Sequence, residues 1–176
     1  MSDYILAIII GVLSSFAASL IILLSLTEFR PNVIISDKIA KTEDSTTGDV
    51  IYKIKIINKT HRSIINVKAQ LRLITLVAAP GGLIEQNRTI PLRTDYIMEL
   101  PKFNLKDKNV EYAWRFNVDG NIEKLWNDDE RSFLRFKIFA TDAVSGFGRV
   151  FNRDFHIKKN SIIKGVFEYG NTCDIK

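Results

Sequence analysis

From Ile5 to Leu26 the chain reads ILAIIIGVLSSFAASLIILLSL, with no charged side chain inside the run. A helix crossing the ~30 Å hydrocarbon core takes about 20 residues at ~1.5 Å each. In lipid every backbone amide must find its partner within the segment, so the run predicts a continuous membrane-spanning helix. A core helix of a water-soluble domain would keep a polar face, and this one has none. A cleaved secretion signal would begin with basic residues and carry an apolar core of about 7–15 residues. Here the only charge ahead of the run is Asp3, and the cleavage-like Ala17-Ala18-Ser19 has Leu20 to Leu24 still behind it. Residues 1–28 are therefore expected to be an uncleaved anchor.

Beyond the anchor the period changes from unbroken to two. Val50 to Ile57 sets Tyr52, Ile54 and Ile56 against Lys53 and Lys55. Ile65 to Ile74 sets Ile65, Val67, Ala69, Leu71 and Leu73 against Asn66, Lys68, Gln70 and Arg72, and the polar Asn58–Arg62 between the two reads as a hairpin connection. Val110 to Phe116 places Val110, Tyr112, Trp114 and Phe116 together. Ser132 to Thr141 does the same with Leu134, Phe136, Ile138 and Ala140, and Asp142–Gly148 is a turn before Arg149 to Ile157. Ile162 to Tyr169 closes the set, with Val33–Ile35 and Thr89–Leu92 as shorter candidates. About seven or eight short strands separated by turns, with no amphipathic helix among them, predict an all-β, immunoglobulin-like antiparallel β-sandwich. A closed barrel satisfies the same periodicity. Lys41–Asp49 is polar and turn-rich, and Ala78–Gly82 is a breaker. The expected organisation is an anchor at 1–28, a juxtamembrane segment with a first edge strand at 29–49, and the sandwich at 50–176.

The chain has 176 residues, enough for one anchor and one domain with its own core. A net charge of +5 and a pI near 9.3 are mildly basic. The basic residues are scattered along strand-like segments, which reads as a solvated face and not as a nucleic-acid site. No catalytic, cofactor or metal residue emerges. His61 and His156 lack partners at metal-ligand spacing, and Cys173 is the single cysteine, so no internal disulfide is possible. Asp128-Asp129-Glu130 lacks the spaced oxygens of a calcium loop and suits a turn. Pro80-Gly81-Gly82 and Ser145–Gly148 do not open helices, so neither is a phosphate loop. The expectation is a protein that is not an enzyme and uses no cofactor.

Two features of the anchor bear on partners. Ala7, Gly11, Ser15 and Ser19 recur every four residues, a spacing that lets membrane helices approach closely and predicts a homo-oligomer; ordinary small-residue usage gives the same stripe. Arg30, Lys38 and Lys41 follow the helix and no Lys or Arg precedes it, which orients the body toward the cytoplasm with a short N-terminus outside. These three are candidate contacts to membrane-lipid headgroups.

Three stretches also resemble a known family. Phe29-Arg30-Pro31 after the helix, Tyr52 to Leu73 (YKIKIINKTHRSIINVKAQLRL), and FKIFATDAVSGFGRVFNRDF followed by IIKGVFEYG are similar to the cytoplasmic domain of inward-rectifier potassium channels. The resemblance implies an immunoglobulin-like sandwich, tetrameric assembly and anionic lipid at the junction, with Arg30 the residue that matches by position. The chain departs from the family in having one apolar run and no Thr-Val-Gly-Tyr-Gly filter. Without a ring of filter carbonyls it cannot replace potassium hydration in the way that family does. Two functions follow as expectations. One is a single-pass, non-enzymatic sensing or interaction module in the cell membrane, its protein or small-ligand partner open. The other is a small oligomeric effector whose bundled helices form a pore.

Overall fold

A computed structural model describes residues 2–43, 48–127 and 131–176, with side chains throughout except at 2, 3 and 26–28. Asp128–Glu130 and much of the expected Lys41–Asp49 loop lie outside the described residues. The apolar run forms α1, Ser2–Glu28. Its Tyr4–Ser25 stretch, 22 residues of mean hydropathy 2.7, is long and apolar enough to cross a membrane, and none of it is buried against the protein.

The remainder is an all-β sandwich of two sheets. In the first, β3 (Val50–Asn58) pairs along one edge with β2 (Ile39–Glu43) and then β1 (Val33–Ile35), and along the other with β7 (Ala113–Val118). A short β10 (Ile162–Lys164) adds to β2 in parallel. In the second, β8 (Ser132–Asp142) lies between β9 (Gly148–Phe155) and β4 (Ile64–Ala79), and the far edge of β4 carries β5 (Gly82–Ile90) and then β6 (Tyr96–Leu100). The order β9-β8-β4-β5 facing β2-β3-β7 is that of an immunoglobulin-like fold. Two four-residue helices, α2 (Ile122–Leu125) and α3 (Lys158–Ser161), sit in connections.

Alternation does much of this work. Leu134, Phe136, Ile138 and Ala140 of β8 are all buried, facing Tyr52, Ile54, Ile56 and Phe116 of the opposite sheet. The Phe116 and Phe136 rings meet at 5.6 Å. At about 1.5–3 kcal/mol for each large apolar side chain fully buried, such layers supply the main drive to fold.

Several expectations change. Asn58–Arg62 is not a hairpin: β3 and β4 belong to different sheets, so the segment crosses between them. The alternation of β4 is broken by a bulge between Ile65 and Lys68, where Asn66 takes φ 53°; Ile64, not Ile65, faces the core. The strand expected from Val110 begins at Ala113, because Val110 itself sits at φ 54°. Ala78–Gly82 turns so tightly, with Gly81 at φ 102°, that it joins two long strands, of which β5 was anticipated only at its last residues. Of Ile162–Tyr169 only Ile162–Lys164 is strand. β1 and β2 are both bonded to β3, so the chain from Val33 onward is already part of the sandwich.

Lys55 departs furthest from expectation. It occupies a polar-face position on β3, yet it is 0% exposed. The C-terminal segment folds across that face, held by the Phe167–Ile175 bridge, and its Glu168, Gly170 and Thr172 carbonyls accept from Lys55 Nζ at 2.8, 2.9 and 2.7 Å. Burial, reinforced by Arg115, pushes the Lys55 ammonium below its ordinary pKa.

Candidate membrane-facing site

The end of the sandwich nearest α1 is built from three loops, β3–β4, β6–β7 and β8–β9. The chain leaves α1 at Phe29 and is fastened at once. Ser145 Oγ donates to the Phe29 carbonyl at 2.8 Å, and the Arg62 guanidinium lies 4.6 Å over the Phe29 ring. Both groups converge on Asp142, whose side chain is fully buried. Its carboxylate accepts from Arg62 Nε at 2.9 Å and from the backbone N–H of Val144 and Ser145 at 3.0 and 2.9 Å. Burial alone would raise this carboxyl; the Ser145 amide, the Arg62 guanidinium and the Val144 amide outweigh it and hold Asp142 below the usual carboxylate range.

Asn58 ties the β3–β4 loop to the β6–β7 loop. Its amide donates to the carbonyls of Arg62 at 2.9 Å and Pro101 at 2.8 Å, while Oδ1 accepts from the Thr60 amide at 2.9 Å and from the Thr60 hydroxyl. Thr60 in turn accepts Phe103 N–H at 2.9 Å, and Lys59 N–H donates to Asn32 at 2.8 Å. The polar backbone of this end is thus paired internally. The surface left outside carries Arg30, His61, Lys102, Lys106 and Lys108, with Leu105 70% and Val144 72% exposed at two of the loop tips.

Of the three residues read as headgroup contacts, Arg30 is exposed at this end. Lys38 and Lys41 lie farther along the first sheet and are engaged elsewhere. Lys38 Nζ donates to the Asn160 carbonyl at 2.8 Å, and Lys41 pairs with Glu123 at 2.5 Å. Glu123 also accepts the hydroxyl of buried Tyr52 at 2.8 Å; the Lys41 and Tyr52 bonds draw its pKa down, while burial and Glu123 drive the Tyr52 phenol up. That cluster is closed and serves to fasten α2. Sequence reasoning passed over Lys102, Leu105, Lys106 and Lys108. Their signal was the interleaving of basic and apolar residues in PKFNLKDK, but nothing local says that this loop lies next to Phe29.

On α1 the side chains of Ala7, Gly11, Ser15 and Ser19 are exposed, and a Cβ added at Gly11 would meet nothing. Ser14 and Ser19 donate back to the carbonyls of Ile10 and Ser15 at 2.8 and 2.9 Å, so these hydroxyls are satisfied within the helix. Among the described residues no three His, Cys, Asp or Glu side chains gather into a possible metal site. His156 is exposed beside the Phe133 ring, and burial raises the thiol of Cys173. No protein-family model matches the chain, and no curated protein matches it significantly.

Proposed function

We propose that this chain is a single-pass, membrane-anchored, non-enzymatic sensing and interaction module, self-associating through α1. Its sandwich lies against the cytoplasmic face of the cell membrane. The observation that carries the reading is the join between a wholly uncovered 22-residue apolar helix and a loop face that is basic with apolar tips. Arg30, Lys102, Lys106 and Lys108 suit anionic headgroups, at ~1 kcal/mol for each basic residue near the surface. Leu105 and Val144 suit the boundary beneath them. The basic flank favours the cytoplasmic side. The likeness to the inward-rectifier cytoplasmic domain belongs to this proposal as a likeness of body, since the chain carries no filter sequence.

The test is fractionation followed by protease. The protein should stay with membranes through an alkaline carbonate wash. Protease should spare the sandwich in intact cells and digest it in inside-out vesicles. Release by carbonate overturns the anchor; digestion from outside overturns the orientation. For self-association, Gly11→Cys in a Cys173→Ser background should cross-link within the bilayer, and a strictly monomeric result removes the oligomer.

A further inference from the structure

A second site lies on the outer face of the β4–β8–β9 sheet, away from the membrane-facing loops. After Ile90 pairs with Leu71, Pro91 interrupts the β5 edge, having no N–H to continue the ladder. The chain then crosses to the other sheet. Leu92 bridges Val118, Arg93 N–H donates to Asn117 at 2.9 Å, and the Pro91 carbonyl accepts Asp119 N–H at 2.9 Å. It returns where the Asp95 carbonyl accepts Ala69 N–H at 2.7 Å and Tyr96 pairs with Lys68. The detour leaves a cleft of about 630 Å³ beside Gln70. Ligand sites for small molecules fall at about 300–1,000 Å³.

The lining has a definite chemistry. Tyr96, Lys68, Phe139 and Val150 stand in one cross-strand row, with Gln70 and Lys137 in the next. Tyr96 and Phe139 are each 40% exposed, so two aromatic rings flank the row at the surface. Lys68, Gln70, Asp95 and Lys137 all line the cleft, and none of their side chains makes a hydrogen bond or ion pair among the described residues. Around Asp142, Asn58 and Lys55, by contrast, the polar side chains are engaged by the protein itself. Two ammonium groups against one carboxylate, set among apolar walls, favour an anion, and the low-dielectric surroundings strengthen that field. The aromatic rings favour a planar partner, and Gln70 and Asp95 can read its polar edge.

We infer that this cleft binds a small organic anion bearing a planar ring. The inference supplies a ligand class for the sensing module proposed above and rests on that reading for its purpose. The binding itself is tested without it: failure here leaves membrane insertion intact, and failed insertion leaves the cleft intact.

The full chain, in nanodiscs of neutral phosphatidylcholine, is dialysed to equilibrium against 1-naphthyl phosphate and against adenosine monophosphate. Retention of either above empty discs, at one molecule per chain, is expected. Adenosine and inorganic phosphate, each half of the ligand, should bind at least about tenfold more weakly. Lys68→Gln with Lys137→Gln should weaken the ring-bearing anion by about tenfold or more, while Lys106→Gln on the membrane-facing loop should not. Both substitutions lie at half-buried or exposed positions with no partner, so folding is preserved, which a denaturation midpoint checks. No retention of either anion overturns the proposal. So does retention unchanged in the double variant, or retention lost equally in Lys106→Gln.

Discussion

The outer faces of the two sheets carry the same kind of sequence and meet opposite fates. On the first sheet Lys55 projects outward between apolar neighbours, and the C-terminal segment closes over it with three carbonyls. Lys59 reaches the Asn171 carbonyl at 3.3 Å, and the Arg115 guanidinium lies 5.4 Å from the Tyr169 ring, so the cover is fastened at several points. On the second sheet Lys137 holds an equivalent place in the alternation, half-buried, and its side chain has no partner among the described residues. A polar residue in a period-2 pattern is therefore not simply a solvent position. Whether it is structural or available depends on what the rest of the chain lays on top.

The largest effect should come from removing the covered lysine. Lys55→Met leaves three carbonyls without their charged donor, and at about 1.5–3 kcal/mol for a hydrogen bond to a charged group the loss of stability should reach ~3 kcal/mol. Lys137→Met should change stability by less than about 0.5 kcal/mol. Denaturant titration of the full chain in detergent compares the two, and equal values would erase the contrast between the faces.

Next comes Asp142, the charged centre of the end nearest α1. Its folded pKa lies below the unfolded one, so its stabilisation is full above the ordinary carboxylate value of ~3.9 and is lost as pH falls through the depressed folded value. Asp142→Asn should cost ~2 kcal/mol at neutral pH by weakening the bond to Arg62, and should flatten the acid limb of the stability curve. An unchanged acid limb would show that the loops hold together without this charge.

A more local effect is expected at Gly165. Its φ is +144°, and an added Cβ would come within 2.1 Å of the Lys176 carbonyl. Gly165→Ala should loosen the cover over Lys55 at a cost of about 1–3 kcal/mol, seen as faster hydrogen exchange at Val166 and Lys176, whose amides pair with each other's carbonyls. The mildest test is chemical. Burial raises the Cys173 thiol, so alkylation at pH 8 should be slower than for a free thiol and should speed up in Gly165→Ala, which loosens the cover but keeps the Lys55 ammonium that draws the thiol down. Equal rates would mean that Gly165 does not hold the cover in place.

These contrasts also mark what could be read before the fold was seen. The long apolar helix was legible because an unbroken run of apolar residues leaves no other period to choose, and β8 because its alternation coincides with burial residue by residue. β5 was not, because nearly all its side chains are exposed and it is held by its ladder to β4, which leaves no apolar period to find. Lys55 misled because its cover comes from residues more than a hundred positions away. The exposed position of Arg30 at the end nearest α1 follows from its place directly after the helix. The lysines around Leu105 were not, since their closeness to Phe29 passes through Asn58 and Thr60, which is a tertiary fact. The cleft was hidden for a similar reason: Pro91 announces an interruption but not the sheet to which the chain departs.

Phe29 has one more consequence. Only Leu26, Thr27 and Glu28 separate the apolar span from a residue clamped through both its carbonyl and its ring. That leaves no slack for a swivel. Under the proposed function, a torque applied to the body would be transmitted to the shaft in the bilayer, and a change in how neighbouring shafts pack would be felt in return by the loops around Ser145.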